Sequence, residues 1–249
     1  HFLSLLIAQS ENTFSRACAW SHRVKLDDGL MKLALHDLRC LKEMWDFDFR
    51  SLGDWVPLDI VGVLNSFTYN SAEWDHRMIC HHGNNVQKLC RDLDRANNPE
   101  QMYSCLLDFY RWSGYGKMGM YSSFRWKDGG LRGISYPDPV TLGDLIGYEY
   151  QKEIIIKNTE AFVQGKKANN ILLYGERGTG KSSTIKALVN EYDARGLRLV
   201  EITKAEFSQL PSILQNLREY PQRFLVFIDD LSFESNETEY KYLKYILEG

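Results

Sequence analysis

Gly175, Gly180, Lys181 and Ser182 stand at the spacing G-x-x-x-x-G-K-[ST], inside the stretch Gly175-Glu176-Arg177-Gly178-Thr179-Gly180-Lys181-Ser182-Ser183. Those residue types suit the wrapping of a triphosphate. Glycines let the backbone curl until its N–H groups face the phosphate oxygens, Lys181 reaches the β- and γ-phosphates, and the Ser182 hydroxyl ligates Mg²⁺. A second group of residues complements the first. Phe224-Leu225-Val226-Phe227-Ile228 is an apolar run ending in Asp229-Asp230, the Walker B arrangement, in which a buried strand delivers a carboxylate to the metal beside the phosphates. The chemistry expected is binding and hydrolysis of Mg²⁺-ATP. Gly175 to Ser183 bind the phosphates, Ser182 and Asp229 hold the metal, and Lys181, Asp229 and Asp230 are the catalytic set, with Asp230 orienting water and Glu234 as an alternative base.

Those residues need a strand before the loop, a helix after it, and parallel strands that bring Asp229 to the same end of the sheet. Ile171 to Tyr174 is expected as a short buried strand, and Ile185, Leu188, Val189 and Tyr192 keep helical spacing after Ser182. Gly196 is placed to cap that helix, Leu197 to Thr203 reads as a second strand closed by Lys204, and Pro211 opens a helix with Ile213, Leu214 and Leu217 on its apolar face. Leu145 to Phe162 reads as a helix leading to the loop strand. Thr203 and Lys204 are expected to point toward Asp230, where either could hold that carboxylate away from water.

The chain lacks the N-K-x-D of guanine recognition after Asp229, and Asp230-Leu231-Ser232 replaces the D-x-x-G of GTPases. The second carboxylate favours ATP hydrolysis over phosphoryl transfer to a small acceptor. From about Arg125 onward the sequence resembles the bacterial ATP-binding family called domain of unknown function 815. The resemblance is carried by Asn158-Thr159-Glu160-Ala161-Phe162, the whole Tyr174 to Ser183 stretch, Gly196-Leu197-Arg198-Leu199, Asp229-Asp230-Leu231-Ser232-Phe233-Glu234, Tyr240-Lys241 and Leu247-Glu248-Gly249. It implies an AAA+-like ATPase in which Ile146-Gly147 borders adenine. It also implies that the sensor strand, arginine finger and lid lie past Gly249.

Composition divides the 249 residues, because the six tryptophans and six histidines all precede Lys127. Residues 1–133 are expected as a mainly helical domain and 134–249 as the P-loop core, with turn chemistry at Lys127-Asp128-Gly129-Gly130 and Tyr136-Pro137-Asp138-Pro139 between them. Asp27 and Asp28 begin a helix whose apolar face is Leu30, Leu33, Ala34, Leu38, Leu41, Trp45 and Phe49, and weaker helical spacing runs from Val86 to Leu93 and from Met102 to Tyr110. The fold class is therefore an α/β P-loop NTPase of AAA+-like type, a truncated parallel sheet flanked by helices behind a helical domain.

A net charge of −3 argues against a bulk polyanion-binding surface. Aromatics and cations interleave from Tyr110, Arg111 and Trp112 through Tyr115, Lys117, Tyr121, Phe124, Arg125 and Trp126 to Lys127. A single-strand nucleic-acid platform uses that pattern, but packing is the simpler account. Cys80-His81-His82 with Cys90 matches no common zinc spacing, and the five cysteines are odd in number without a C-x-x-C pair. A reducing cytoplasm is expected. Phe2 to Ala8 is too short to span a membrane and reads as packing. The expected ligands are ATP and Mg²⁺; the partner is an unknown protein or nucleic acid, no membrane is implied, and a homo-oligomer is allowed. The rival is a nucleotide-dependent binding module in which ATP sets a conformation and turnover is slight.

Overall fold

The computed structural model describes residues 2–48, 51, 57, 59–60 and 83–229. The chain divides into two compact units, His1–Tyr121 and Ser122–Gly249. Asp230, Glu234, Cys80, His81, His82, Phe49 and the matching segments after Asp230 lie outside the described residues.

The first unit contains helices α1 (Phe2–Gln9), α2 (Thr13–Trp20), α3 (Asp28–Trp45), α4 (Gly83–Arg95), α5 (Pro99–Ser113) and α6 (Lys117–Met120). α5 is its axis. Asn98 caps it by accepting the Gln101 N–H at 2.8 Å, Pro99 occupies the first turn where no N–H is needed, and Met102, Leu106, Phe109 and Tyr110 are buried. Each such side chain contributes on the order of 2 kcal/mol of burial, and α2, α3, α4 and α6 pack around them. α3 starts where the sequence places it, since Asp27 Oδ1 accepts the Leu30 N–H at 2.9 Å. Ala34 and Leu38 are buried, whereas Leu33 is 59% exposed and lies off the packed stripe.

The second unit is the expected α/β class, a mostly parallel four-stranded sheet flanked by helices. Its strands are β1 (Ser123–Lys127), β2 (Gly130–Gly133), β3 (Leu197–Ile202) and β4 (Arg223–Ile228), and its helices are α7 (Glu149–Val163), α8 (Lys181–Tyr192) and α9 (Leu210–Leu217). The order is β2-β1-β3-β4, with β1, β3 and β4 parallel and β2 antiparallel to β1. Leu199 lies opposite Leu225 and Glu201 opposite Phe227. Leu197, Leu199, Leu225 and Phe227 thereby share a core with Ile155 of α7 and Ile185, Leu188, Val189 and Tyr192 of α8.

The sequence reading needs correction at several points. Ile171 to Tyr174 forms no strand: it has no ladder partner among the described residues, and Ile171, Leu172 and Tyr174 are 39%, 75% and 89% exposed. Apolar content cannot make a strand without a neighbour to accept its hydrogen bonds, and the described sheet ends at β4. Only Leu173 of that run packs on the core. The helix expected from Leu145 begins at Glu149, because Gly147 and Tyr148 take left-handed φ values of 83° and 55°. The 123–133 segment, which composition assigned to the helical part, is a hairpin whose β1 pairs with β3. Its turn residues Asp128 and Gly129 both have positive φ, 54° and 74°, the geometry that two-residue hairpins favour. Tyr110, Tyr115, Phe124 and Trp126 are buried, so these rings cannot serve as a stacking platform for bases. The Tyr110 hydroxyl donates to the Ile7 carbonyl at 2.6 Å, and the Trp126 indole N–H donates to Gln209 Oε1 at 2.8 Å.

Candidate functional site

The glycine loop turns tightly into α8. Gly178 and Gly180 have φ of 81° and 80°, conformations that a residue with a Cβ resists, and Gly180 is the residue at which the helix starts. No side chain caps α8 there; its first backbone bond runs from the Thr184 N–H to the Gly180 carbonyl at 2.8 Å. The Thr179 hydroxyl braces the loop by donating to the Glu176 carbonyl at 2.9 Å. Gly175, Glu176, Arg177 and Gly178 are exposed, while Thr179 through Ser183 are half-buried.

Lys181 folds back over this loop. Its ammonium donates to the carbonyls of Gly175 at 3.0 Å and Glu176 at 2.6 Å, with the Thr179 hydroxyl at 3.4 Å. The cation is therefore held among loop oxygens by charge-assisted bonds, which are stronger than neutral ones.

Ser182 follows on the first turn of α8. Its hydroxyl lies 3.0 Å from Asp229 Oδ2 and 3.2 Å from Oδ1, joining residues 47 apart in sequence. The parallel register of β3 and β4 ends at Ile202 opposite Ile228, so Asp229 emerges where the strands finish. Two hard oxygens about 3 Å apart match the spacing of neighbouring ligands in an octahedral Mg²⁺ shell of about 2.1 Å radius. The serine and aspartate thus fit that ion. Asp230 lies outside the described residues.

Other contacts shape the surroundings. The Asn158 carboxamide is bonded twice to the backbone of Asn169, donating to its carbonyl at 2.9 Å and accepting its N–H at 2.8 Å. It takes the place of a strand neighbour just before the run into the loop. Thr203 is already engaged: its N–H and hydroxyl donate to Glu206 Oε2 at 2.7 and 2.9 Å, forming a capping box. The switch expected of Thr203 or Lys204 onto Asp230 falls on a residue outside the described ones, and the spacing Thr203-x-x-Glu206 is the sequence signal for the cap. The role of Lys152, whose ammonium binds the Leu145 carbonyl at 2.6 Å, had no such signal.

No described helix is long and apolar enough to cross a membrane. Over short spans the chain is similar to curated proteins described as replication factor C large subunit. It is 33% identical over 76 residues to that of Staphylothermus marinus, covering 30% of this chain and 17% of the relative. With that of Methanococcus maripaludis the identity is 39% over 54 residues, covering 22% and 11%. The chain thus spans between 11% and 17% of the length of these relatives. No solved structure matches the chain. Residues 119–249, just over half of the chain and the whole of the unit that carries the loop, match the family described as "Protein of unknown function (DUF815)", and the chain belongs to that family.

Proposed function

We propose that this chain carries a Mg²⁺-ATP-binding ATPase core of AAA+ type in its second unit, residues 122–249, preceded in sequence by the helical unit of residues 1–121. The observation that carries the reading is the meeting of Ser182 and Asp229 at 3.0 Å beside a lysine held in a glycine loop. Gly175, Glu176, Arg177, Gly178, Thr179 and Gly180 offer backbone N–H groups to the phosphates, and Ser183 continues them on the first turn of α8. Lys181 exchanges the carbonyls of Gly175 and Glu176 for phosphate oxygens, which carry more negative charge and hold an ammonium more strongly. Bound Mg²⁺ supplies neutralisation of charge across the phosphates. Ser182 and Asp229 hold and orient that ion, and Asp230 orients the attacking water.

The short similarity to proteins described as replication factor C large subunit supports coupling of hydrolysis to the loading or remodelling of a protein or nucleic-acid partner. The exposed glycine loop and the half-buried strand that ends at Asp229 are the parts such coupling requires. A cytoplasmic setting and a homo-oligomer accord with this reading.

Calorimetric titration with ATP, with and without Mg²⁺, tests it. Lys181→Ala is expected to weaken ATP binding on the order of a hundredfold, since charge-assisted bonds are lost. Asp229→Asn is expected to blunt the dependence on Mg²⁺ with less effect on metal-free binding. Unchanged ATP affinity in Lys181→Ala would remove the assignment. Phosphate release separates hydrolysis from a role in which nucleotide only sets a conformation.

A further inference from the structure

We infer that Lys152 is a positioning residue for the nucleoside end of the site, fastening the Leu145–Tyr148 turn beside the phosphate loop; the inference rests on the nucleotide-binding reading above. Lys152 lies on the first turn of α7 with a side chain only 12% exposed. Its ammonium donates to the Leu145 carbonyl at 2.6 Å and to Glu149 Oε1 at 2.8 Å. Its own backbone N–H donates to the Tyr148 carbonyl at 2.9 Å. One residue thus ties both ends of the turn.

The turn requires such a tie. Gly147 and Tyr148 are both left-handed, and that conformation is unfavourable for a tyrosine. Tyr148 starts α7 without any side-chain cap. Lysine is ordinarily a solvated residue, and here its carboxylate partner Glu149 is 77% exposed. What the half-buried lysine secures is the backbone of Leu145.

That backbone matters because of where it leads. A Cβ added at Gly180 would meet Leu145 Cδ2 at 3.9 Å, so the Leu145 side chain abuts the glycine that starts α8. The next residue, Ile146, is 95% exposed on this same turn. An apolar side chain held open one residue from that contact is suited to the flat face of a base, whereas phosphates alone have no use for it. Lys152 acts through the turn and touches no ligand.

The test compares two ligands on the 249-residue chain: ATP, which has a base, and inorganic tripolyphosphate, which has none. Lys152→Met should weaken ATP binding about tenfold, the size of effect expected when one charged hydrogen bond that orders a binding element is lost. Tripolyphosphate affinity should change less than twofold, which also reports that the phosphate loop is still folded. Lys152→Arg, which keeps a cation able to reach the carbonyl, should recover most of the ATP affinity. Equal weakening of both ligands, or ATP affinity unchanged, overturns the role. A chain that binds ATP but not tripolyphosphate overturns the division of the site into two ends. Failure of the unaltered chain to bind either ligand overturns the nucleotide reading itself, and this inference with it.

Discussion

Arg198 and Asp193 form a pair at 2.6 Å between Nη1 and Oδ1, with the arginine side chain 1% exposed and the aspartate 23% exposed. The same Nη1 also donates to the carbonyls of Asp193 at 3.1 Å and Leu197 at 2.8 Å. Burial lowers the guanidinium below its ordinary pKa, and the Asp193 charge opposes that shift. Asp193→Ala removes the neutralising carboxylate and is expected to destabilise the chain by about 3 kcal/mol. Arg198→Met, which replaces the cation by an apolar side chain, is expected to cost less. Urea unfolding midpoints decide between them, and a larger loss for Arg198→Met would contradict the role given to Asp193.

Asp144 lies three residues after Thr141, whose N–H and hydroxyl both donate to its carboxylate, at 2.8 and 2.7 Å. The hydroxyl bond first, and the backbone bond second, hold its pKa below the ordinary 3.8. A folded value below the unfolded one means that the stabilisation is present above the unfolded value and is lost as pH falls through the folded value. An NMR titration of the Asp144 carboxyl should therefore show a midpoint on the acid side of 3.8, moving back toward the ordinary value in Thr141→Val. A midpoint at or above the ordinary value would show that the cap does not persist in solution.

Cys18 is completely buried, and burial pushes its thiol up to about 12 against the opposing charge of Arg111. Cys40 is exposed. Alkylation proceeds through the thiolate. In the native chain at pH 8, mass spectrometry should find Cys40 labelled well before Cys18, with Cys18 reacting only after denaturant is added. Equal native labelling of the two would mean that the first unit is far more open than its packing implies.

Much of the local structure was legible because its causes are local. Asp27 and Pro99 announce helix starts through a side-chain acceptor and a missing N–H, and Gly196 ends a helical segment with φ of 84°. The hairpin is equally legible at Asp128-Gly129, yet the same glycines suit a domain boundary, and the aromatic content on either side hides the alternation of Phe124, Arg125, Trp126 and Lys127. Ile171 to Tyr174 shows the opposite failure. Its composition suits a buried strand, but a strand is a relation between two segments, and no described partner supplies the other half.

By itself the sequence determined the glycine loop, the helix that follows it, the capping positions and the alternation of strands and helices, since each depends on backbone freedom or side-chain reach within a few residues. The tertiary structure alone decided that Ser182 and Asp229 stand 3.0 Å apart, that Arg198 is sealed in the sheet, and that Lys152 reaches back to Leu145. Those outcomes depend on which strands pair and in what register. A shift of one residue between β3 and β4 would move every side chain of β4 to the opposite face and carry Asp229 about 3 Å along the strand, a relation that no short stretch of residues encodes.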